Sequence, residues 1–212
     1  MGQDKLERKE AYGQLGRHSF IDKFGAYLSL CMIKKHVRGL DHKAIRLLDL
    51  GCGYHAKILV GLVSSIDQGT GVDIAVSNRV KTEQGLGFVE KSIEQCVNDF
   101  KNSSYNIVLM NSVLEHLEDP HAVLKECYRI LEAEGLLLVN VPTWLGKSLL
   151  EFSAFKLKLS PAMEMDDHKM YYDQKDLWPL LVSAGFKPSA IKMTRHKFGL
   201  NLFAVCRKHK IE

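Results

Sequence analysis

The apolar run Leu47-Leu48-Asp49-Leu50 passes directly into Gly51-Cys52-Gly53-Tyr54-His55. Glycines let a backbone bend sharply and approach a ligand closely, and free N–H groups at the start of the following helix face an anionic or polar group. Asp73 follows twenty residues after Gly53, at the end of a second apolar run. A carboxylate at that place can accept both hydroxyls of an adenosine ribose, as in nucleotide-binding sheets generally. A Gly-x-Gly turn alone marks only a tight strand-to-helix connection; with an acid at this spacing it points to a nucleotide-like cofactor.

Two of the nine histidines have a context for proton transfer. His116 follows the fourth apolar run, at the carboxyl edge where open α/β sheets place their ligands. A group whose unperturbed pKa lies near 6.5 suits a base for a hydroxyl acceptor. His168 lies in Met165-Asp166-Asp167-His168-Lys169-Met170-Tyr171-Tyr172, where acidic neighbours would raise its pKa and orient its ring. Each has a plain alternative: a structural hydrogen bond for His116, a solvated turn for His168.

These residues need a scaffold, and the hydropathy pattern supplies one. Short apolar runs at 45–50, 71–73, 87–89, 106–110 and 136–141 alternate with helical segments, the signature of βαβ units and a mostly parallel sheet. Before them, Phe20, Phe24, Tyr27, Leu28, Cys31 and Met32 keep helical spacing over 19–37, preceded by a shorter polar helix. A helix over 120–131 has Asp119 as N-cap, Pro120 at its first position, and Val123, Leu124, Cys127, Tyr128 and Leu131 on one face, with Gly135 ending the segment. A later helix capped by Asp173 and closed by Gly185 contains Pro179, which predicts a kink or a later start. Runs at 190–194 and 201–206 read as a closing antiparallel hairpin.

The expected architecture is α/β with about seven strands, in one domain over 1–212. It comprises a helical extension (1–42), a cofactor-binding core (43–142), a segment that interrupts the βα rhythm (143–172), and a C-terminal helix and hairpin (173–212). Residues 1–10 are mostly charged, and no stretch reaches the roughly 18 apolar residues of a membrane span, so a cytoplasmic protein is expected. Five widely spaced cysteines without a CxxC pair read as reduced thiols, mostly buried, and predict no metal. The net charge of +4 comes largely from the last twenty residues. The reading there is a solvated hairpin surface, with no nucleic-acid partner.

At the level of motifs the chain resembles the class I S-adenosylmethionine-dependent methyltransferases, in particular the type 11 group acting on small molecules and glycan precursors. The resemblance rests on residues 47–55, on Val72-Asp73-Ile74, on Tyr105-Asn106-Ile107-Val108-Leu109-Met110-Asn111-Ser112-Val113-Leu114-Glu115-His116-Leu117 and, more loosely, on 135–142. It implies a Rossmann-like fold, with S-adenosylmethionine as cofactor and S-adenosylhomocysteine as product. It places Asp49 at the methionine amino group, Gly51 and Gly53 along the cofactor, and Ser92 with the backbone of Ile93 at the adenine edge. Cys52, His55, Asp73, Ile74 and Asn111 complete the implied cofactor set. In three places the chain departs from the family pattern: His55 replaces a third glycine and narrows the room beside the methionine moiety, Ser92 stands where an aspartate often reads adenine, and Asn106 replaces the aspartate that opens the fourth strand.

The implied activity is methyl transfer to a small-molecule, glycan-precursor or lipid-precursor acceptor, at oxygen. Two other readings compete. Gly51-x-Gly53-x-x-Ala56 with Asp73 also fits a nicotinamide dinucleotide fingerprint, although Asp49 would crowd a pyrophosphate. A module that binds S-adenosylmethionine without turnover would accommodate His55 and Ser92. Residues 143–172 combine apolar side chains with Lys147, Lys156 and Lys158. They are expected to cap the acceptor pocket, suiting an acceptor with apolar and acidic parts or a transient contact with an anionic membrane surface.

Overall fold

The computed structural model describes residues 11–14, 20–41, 44–147 and 169–210, the side chains of 20–22 excepted. In chain order the elements are α1 (Phe20–Arg38), β1 (Arg46–Leu50), α2 (Lys57–Leu62), β2 (Gln68–Asp73), β3 (Leu86–Glu90), α3 (Ile93–Cys96), β4 (Tyr105–Asn111), α4 (Pro120–Ile130), β5 (Leu131–Pro142), α5 (Gln174–Ser183), β6 (Ile191–His196) and β7 (Asn201–Arg207). The seven strands form one sheet in the order β3-β2-β1-β4-β5-β7-β6. Strands β1 to β5 pair in parallel, and β7 runs antiparallel to both neighbours. This is the Rossmann-like methyltransferase architecture with its C-terminal antiparallel hairpin.

Alternating side chains of the central strands feed two cores, one on each face of the sheet. Leu48, Leu50, Val108, Met110, Leu137 and Val139 pack with Val123, Leu124 and Cys127 of α4 and with Leu177 and Leu181 of α5. Leu47, Ile107, Leu109, Leu138 and Phe203 pack with Ile33 and Val37 of α1 and with Leu59 and Leu62 of α2. Most of these side chains are fully inaccessible, and each contributes about 1.5–3 kcal/mol of apolar burial.

Local capping follows the sequence. Asp119 accepts from the Ala122 N–H at 2.9 Å, with Pro120 in the first turn of α4. Asp173 and Asp176 form a reciprocal capping box at α5. That helix starts at Gln174 and runs through Pro179, so a later start is not observed. Proline there removes only the bond to the Lys175 carbonyl.

Several expectations need correction. In α1 the inward residues are Ser29, Ile33 and Val37, while Phe24, Tyr27 and Cys31 are exposed, so the buried face is rotated from the one the spacing suggested. Gly135 does not terminate α4, which ends at Ile130; it lies inside β5, where a Cβ would meet the Asn106 and Glu132 carbonyls at 2.9 and 3.0 Å. A register shift between Tyr105 and Ile107 accommodates this stretch. The C-terminal cations are not all solvated: Lys208 is buried, donates to the Leu131 carbonyl at 2.6 Å, and lies 4.9 Å from the Tyr128 ring centroid. Asn106 finds a role an aspartate cannot fill as well. Its Oδ1 accepts from the Arg46 N–H at 2.7 Å while its Nδ2 donates to Glu132 at 2.6 Å, tying β1, β4 and β5 at their amino edge.

Candidate active site

At the end of β1, Gly51 and Gly53 adopt φ of +79° and +74°, a region that other residues enter only at a cost. The Gly51 and Cys52 N–H groups both donate to the Val72 carbonyl, at 2.8 and 3.0 Å, which pins the turn to β2. A Cβ on Gly51 would overlap Val113 Cγ2, so the turn also packs against the exit of β4.

Asp73, at the end of β2, faces the turn. Asp73 Oδ2 accepts from the Gly53 N–H and Oδ1 from the Ile74 N–H, both at 2.8 Å. These bonds fix the carboxylate rotamer. Asp49 is buried, at 2% exposure, and burial together with the charge of Asp73 pushes its carboxyl up to about 7. Two carboxyl groups, one poised between its charged and neutral forms, therefore line the glycine turn. Such a set of acceptors fits an ammonium group and a pair of sugar hydroxyls. The Cys52 thiol is buried between these acids and is held well above the usual thiol range, first by burial and then by Asp49 and Asp73, so it stays protonated.

His55 is exposed and meets the Tyr54 ring edge-on at 5.0 Å. An unforeseen neighbour does approach. The Tyr12 carbonyl accepts from the Tyr54 N–H at 3.0 Å and would lie 3.4 Å from a Cβ on Gly53. The turn at 11–14 thus covers the glycine turn, a contact between segments some forty residues apart that no local sequence signal announces.

Along the same edge, Asp73 pairs in register with Glu90, which accepts from the Val76 N–H at 2.8 Å and from Lys81 Nζ at 2.5 Å. Two residues further, Ser92 opens α3 with extended backbone, and its hydroxyl makes no capping bond to that helix. Ile93 packs against the core beside it. On the other side, Asn111 Oδ1 accepts from Asn140 Nδ2 at 2.9 Å, and Ser112, with φ of +58°, donates its N–H to the Asn140 carbonyl at 2.8 Å.

The chain then forms a tight turn over Leu114–His116. His116 is half-buried and its N–H donates to the Val113 carbonyl at 2.9 Å. Glu115, at 1% exposure, points into the protein, and its carbonyl accepts from the Lys169 N–H at 2.8 Å. Tyr172 donates to the Leu114 carbonyl at 3.5 Å, and burial, Glu115 and Asp176 push its hydroxyl up to about 12. Residues 169–172 therefore return to the carboxyl edge of β4. His168 and most of the expected cap, 148–168, lie outside the described residues. Among the described residues no group of three or more His, Cys, Asp or Glu side chains is placed to hold a metal ion.

A family model described as a methyltransferase domain matches residues 21–190. The chain belongs to the class I S-adenosylmethionine-dependent methyltransferases. Ubiquinone biosynthesis O-methyltransferase of Glaesserella parasuis serovar 5 (strain SH0165) is 28% identical over 127 residues, covering 53% of this chain and 51% of that protein. The chain matches about half or less of the length of its curated relatives. In fold it is similar to the CurJ carbon methyltransferase (TM-score 0.66, 18% identity, 92% of this chain and 56% of that one). It is likewise similar to the Burkholderia thailandensis 1,6-didemethyltoxoflavin-N1-methyltransferase with bound 1,6-didemethyltoxoflavin and S-adenosylhomocysteine (TM-score 0.63, 15% identity, 90% and 81%). Membership in the methyltransferases overturns the nicotinamide oxidoreductase reading. No helix among the described residues of this methyltransferase is long and apolar enough to cross a membrane.

Proposed function

We propose that this methyltransferase transfers a methyl group to an oxygen of a small-molecule acceptor, a glycan or lipid precursor with an apolar and an acidic part. The observation that carries the cofactor half of the reading is the pair Asp49 and Asp73 at the glycine turn. S-adenosylmethionine supplies an electrophilic methyl group on a sulfonium. Asp73 holds the ribose hydroxyls, Asp49 takes the methionine ammonium, and Gly51, Cys52, Gly53, His55 and Ile74 border the ligand. Ser92 and the Ile93 backbone contact the adenine edge, and Asn111 closes the site below the methyl group.

Displacement at a methyl group needs alignment and exclusion of water more than catalytic side chains. For an oxygen acceptor, His116 or His168 removes the hydroxyl proton as the new bond forms, with His116 on the turn that leaves β4. The relatives named as O-methyltransferases support oxygen as the atom. We assign the whole of 1–212 to one domain, with 143–172 covering the acceptor. The free thiols of all five cysteines support a reducing, cytoplasmic setting.

Calorimetry with S-adenosylhomocysteine and a methyl-transfer assay on paired hydroxyl, amine and carbon acceptors test this. Micromolar binding with turnover only on hydroxyl compounds is expected; turnover confined to amines or carbon nucleophiles would refute the oxygen assignment. His168→Ala should lower turnover and leave cofactor affinity intact, and equal turnover would transfer the role of base to His116.

A further inference from the structure

The turn between β6 and β7 holds three consecutive residues in left-handed backbone: Lys197 (φ +48°), Phe198 (φ +58°) and Gly199 (φ +88°). Two of them are not glycine, and each such residue costs about 1–2 kcal/mol relative to a right-handed alternative. Strain of this kind persists where the surroundings over-determine it and clusters at ligand-contacting sites. Here it is held by Thr143, whose N–H donates to the Leu200 carbonyl and whose hydroxyl donates to the Gly199 carbonyl, both at 2.9 Å.

The strained backbone turns Lys197 inward and Phe198 outward. Phe198 is 85% exposed, the most exposed large apolar side chain among the described residues. Lys197 is only partly exposed, with Nζ 3.8 Å from where a Cβ of Gly25 in α1 would stand. Burial lowers its pKa, and the charge of Glu115 opposes that shift. Among the described residues no hydrogen bond or ion pair holds this ammonium. Glu115 belongs to the turn that leaves β4, two residues after Val113, the side chain against which Gly51 packs. Lys197 therefore lies on the β6–β7 turn, at the carboxyl end of the sheet, between Gly25 of α1 and Glu115 on the turn that leaves β4.

We propose that Lys197 is a specificity residue of this methyltransferase that binds a carboxylate on the acceptor, an inference that rests on the methyl-transfer reading above. A partly desolvated ammonium with no direct partner gains most from a charged acceptor oxygen, because charge-assisted hydrogen bonds are the strong ones. With Glu115 close by, the locus carries little net positive charge, which favours a monoanion over a phosphate dianion. Leu145, which approaches the position of a Gly199 Cβ at 3.7 Å, and Phe198 frame the same turn with apolar surface for the body of the acceptor.

The test uses the full chain saturated with S-adenosylhomocysteine, titrated calorimetrically with 3,4-dihydroxybenzoate and with its neutral counterpart 1,2-dihydroxybenzene. Lys197→Met keeps the length of the side chain and the same backbone cost at this position, and Lys197→Arg restores the charge. Wild type should bind the carboxylate at least about tenfold more tightly than the neutral compound. Lys197→Met should abolish that preference with less than a twofold effect on the neutral compound and on S-adenosylhomocysteine, and Lys197→Arg should recover part of it. Equal affinity of wild type for the two compounds, no binding of the carboxylate, or a preference that survives in Lys197→Met would each overturn the assignment. Failure of wild type to bind S-adenosylhomocysteine would instead overturn the methyl-transfer reading on which it stands.

Discussion

Asp73 Oδ2 lies 2.8 Å from the backbone nitrogen of Gly53, so the carboxylate that ends β2 is also the anchor of the turn that ends β1. Asp73→Ala should therefore both loosen the turn and remove the ribose contacts proposed above. Each charge-assisted bond lost is worth about 1.5–3 kcal/mol, so S-adenosylhomocysteine affinity should fall at least tenfold. Asp73→Asn keeps one acceptor oxygen and should lose less. An unchanged dissociation constant for the alanine variant by calorimetry would refute the placement.

Gly51→Ala meets two obstacles, the positive φ and Val113 Cγ2, whereas Gly53→Ala meets chiefly the first, its nearest atom being 3.4 Å away. Each should cost about 1–3 kcal/mol by denaturant unfolding, with Gly51→Ala the worse. Adding Val113→Ala to Gly51→Ala should recover part of its loss beyond the cost of Val113→Ala alone. Strict additivity in that double-mutant cycle would show that the contact carries no energy.

The Asp49 carboxyl is raised by burial and by Asp73 to about 7, against 3.8 for an unperturbed group. The sign follows: the neutral form contributes stability below about pH 4, and that contribution is lost as pH rises to about 7. Asp49→Asn should therefore raise the melting temperature of the free protein at pH 8 and change it little at pH 4. An ammonium beside Asp49 favours the carboxylate, so affinity for S-adenosylmethionine should rise from pH 6 to pH 8, and this slope should flatten in Asp49→Asn.

His36 stacks on Phe203 at 5.7 Å, and His196 meets the same ring edge-on at 5.9 Å. Both pKa values are lowered, first by burial, with Lys35 and Lys192 adding to the effect at His36 and Lys197 at His196. The neutral forms stabilise the fold fully above the unfolded value near 6.5, and stability drains as pH falls below it. In the Asp49→Asn background, where the opposing contribution of Asp49 is removed, a melting temperature that drops between pH 7 and pH 5 is expected, with a shallower drop when His196→Phe is added. Identical slopes would remove His196 from the explanation.

Ser92, proposed above to meet the adenine edge, opens α3 with a hydroxyl free of capping duty. Ser92→Asp should keep or improve S-adenosylhomocysteine binding, since a carboxylate accepts more strongly from the adenine amino group. A tenfold loss would place the adenine elsewhere.

What the residues announced and what they withheld follow a physical division. β4 and the middle of β5 were legible because they are apolar runs buried on both faces. β2 is longer than its apolar portion, since Gly69 and Gly71 sit in the sheet where Leu86, Leu59 and Phe88 leave no room for a Cβ. The first residues of β5, with Glu132, Glu134 and Gly135, resemble a turn in isolation and become strand only through pairing with their neighbours. The glycine turn and Asp73 were readable because their spacing is local to one βαβ unit. Glu115 and Lys197 look like ordinary charged residues, and only the meeting of α1, β4 and the final hairpin takes them out of water.

The bond from the Tyr54 N–H to the Tyr12 carbonyl has a kinetic meaning. An amide in the middle of the sheet exchanges its proton when the sheet opens, but that of Tyr54 is released whenever residues 11–14 lift away. Deuterium uptake at Tyr54 should thus clock the uncovering of the glycine turn independently of global unfolding. Cutting the chain after residue 14 should convert this amide from slow to fast exchange while the amides of β4 keep their protection.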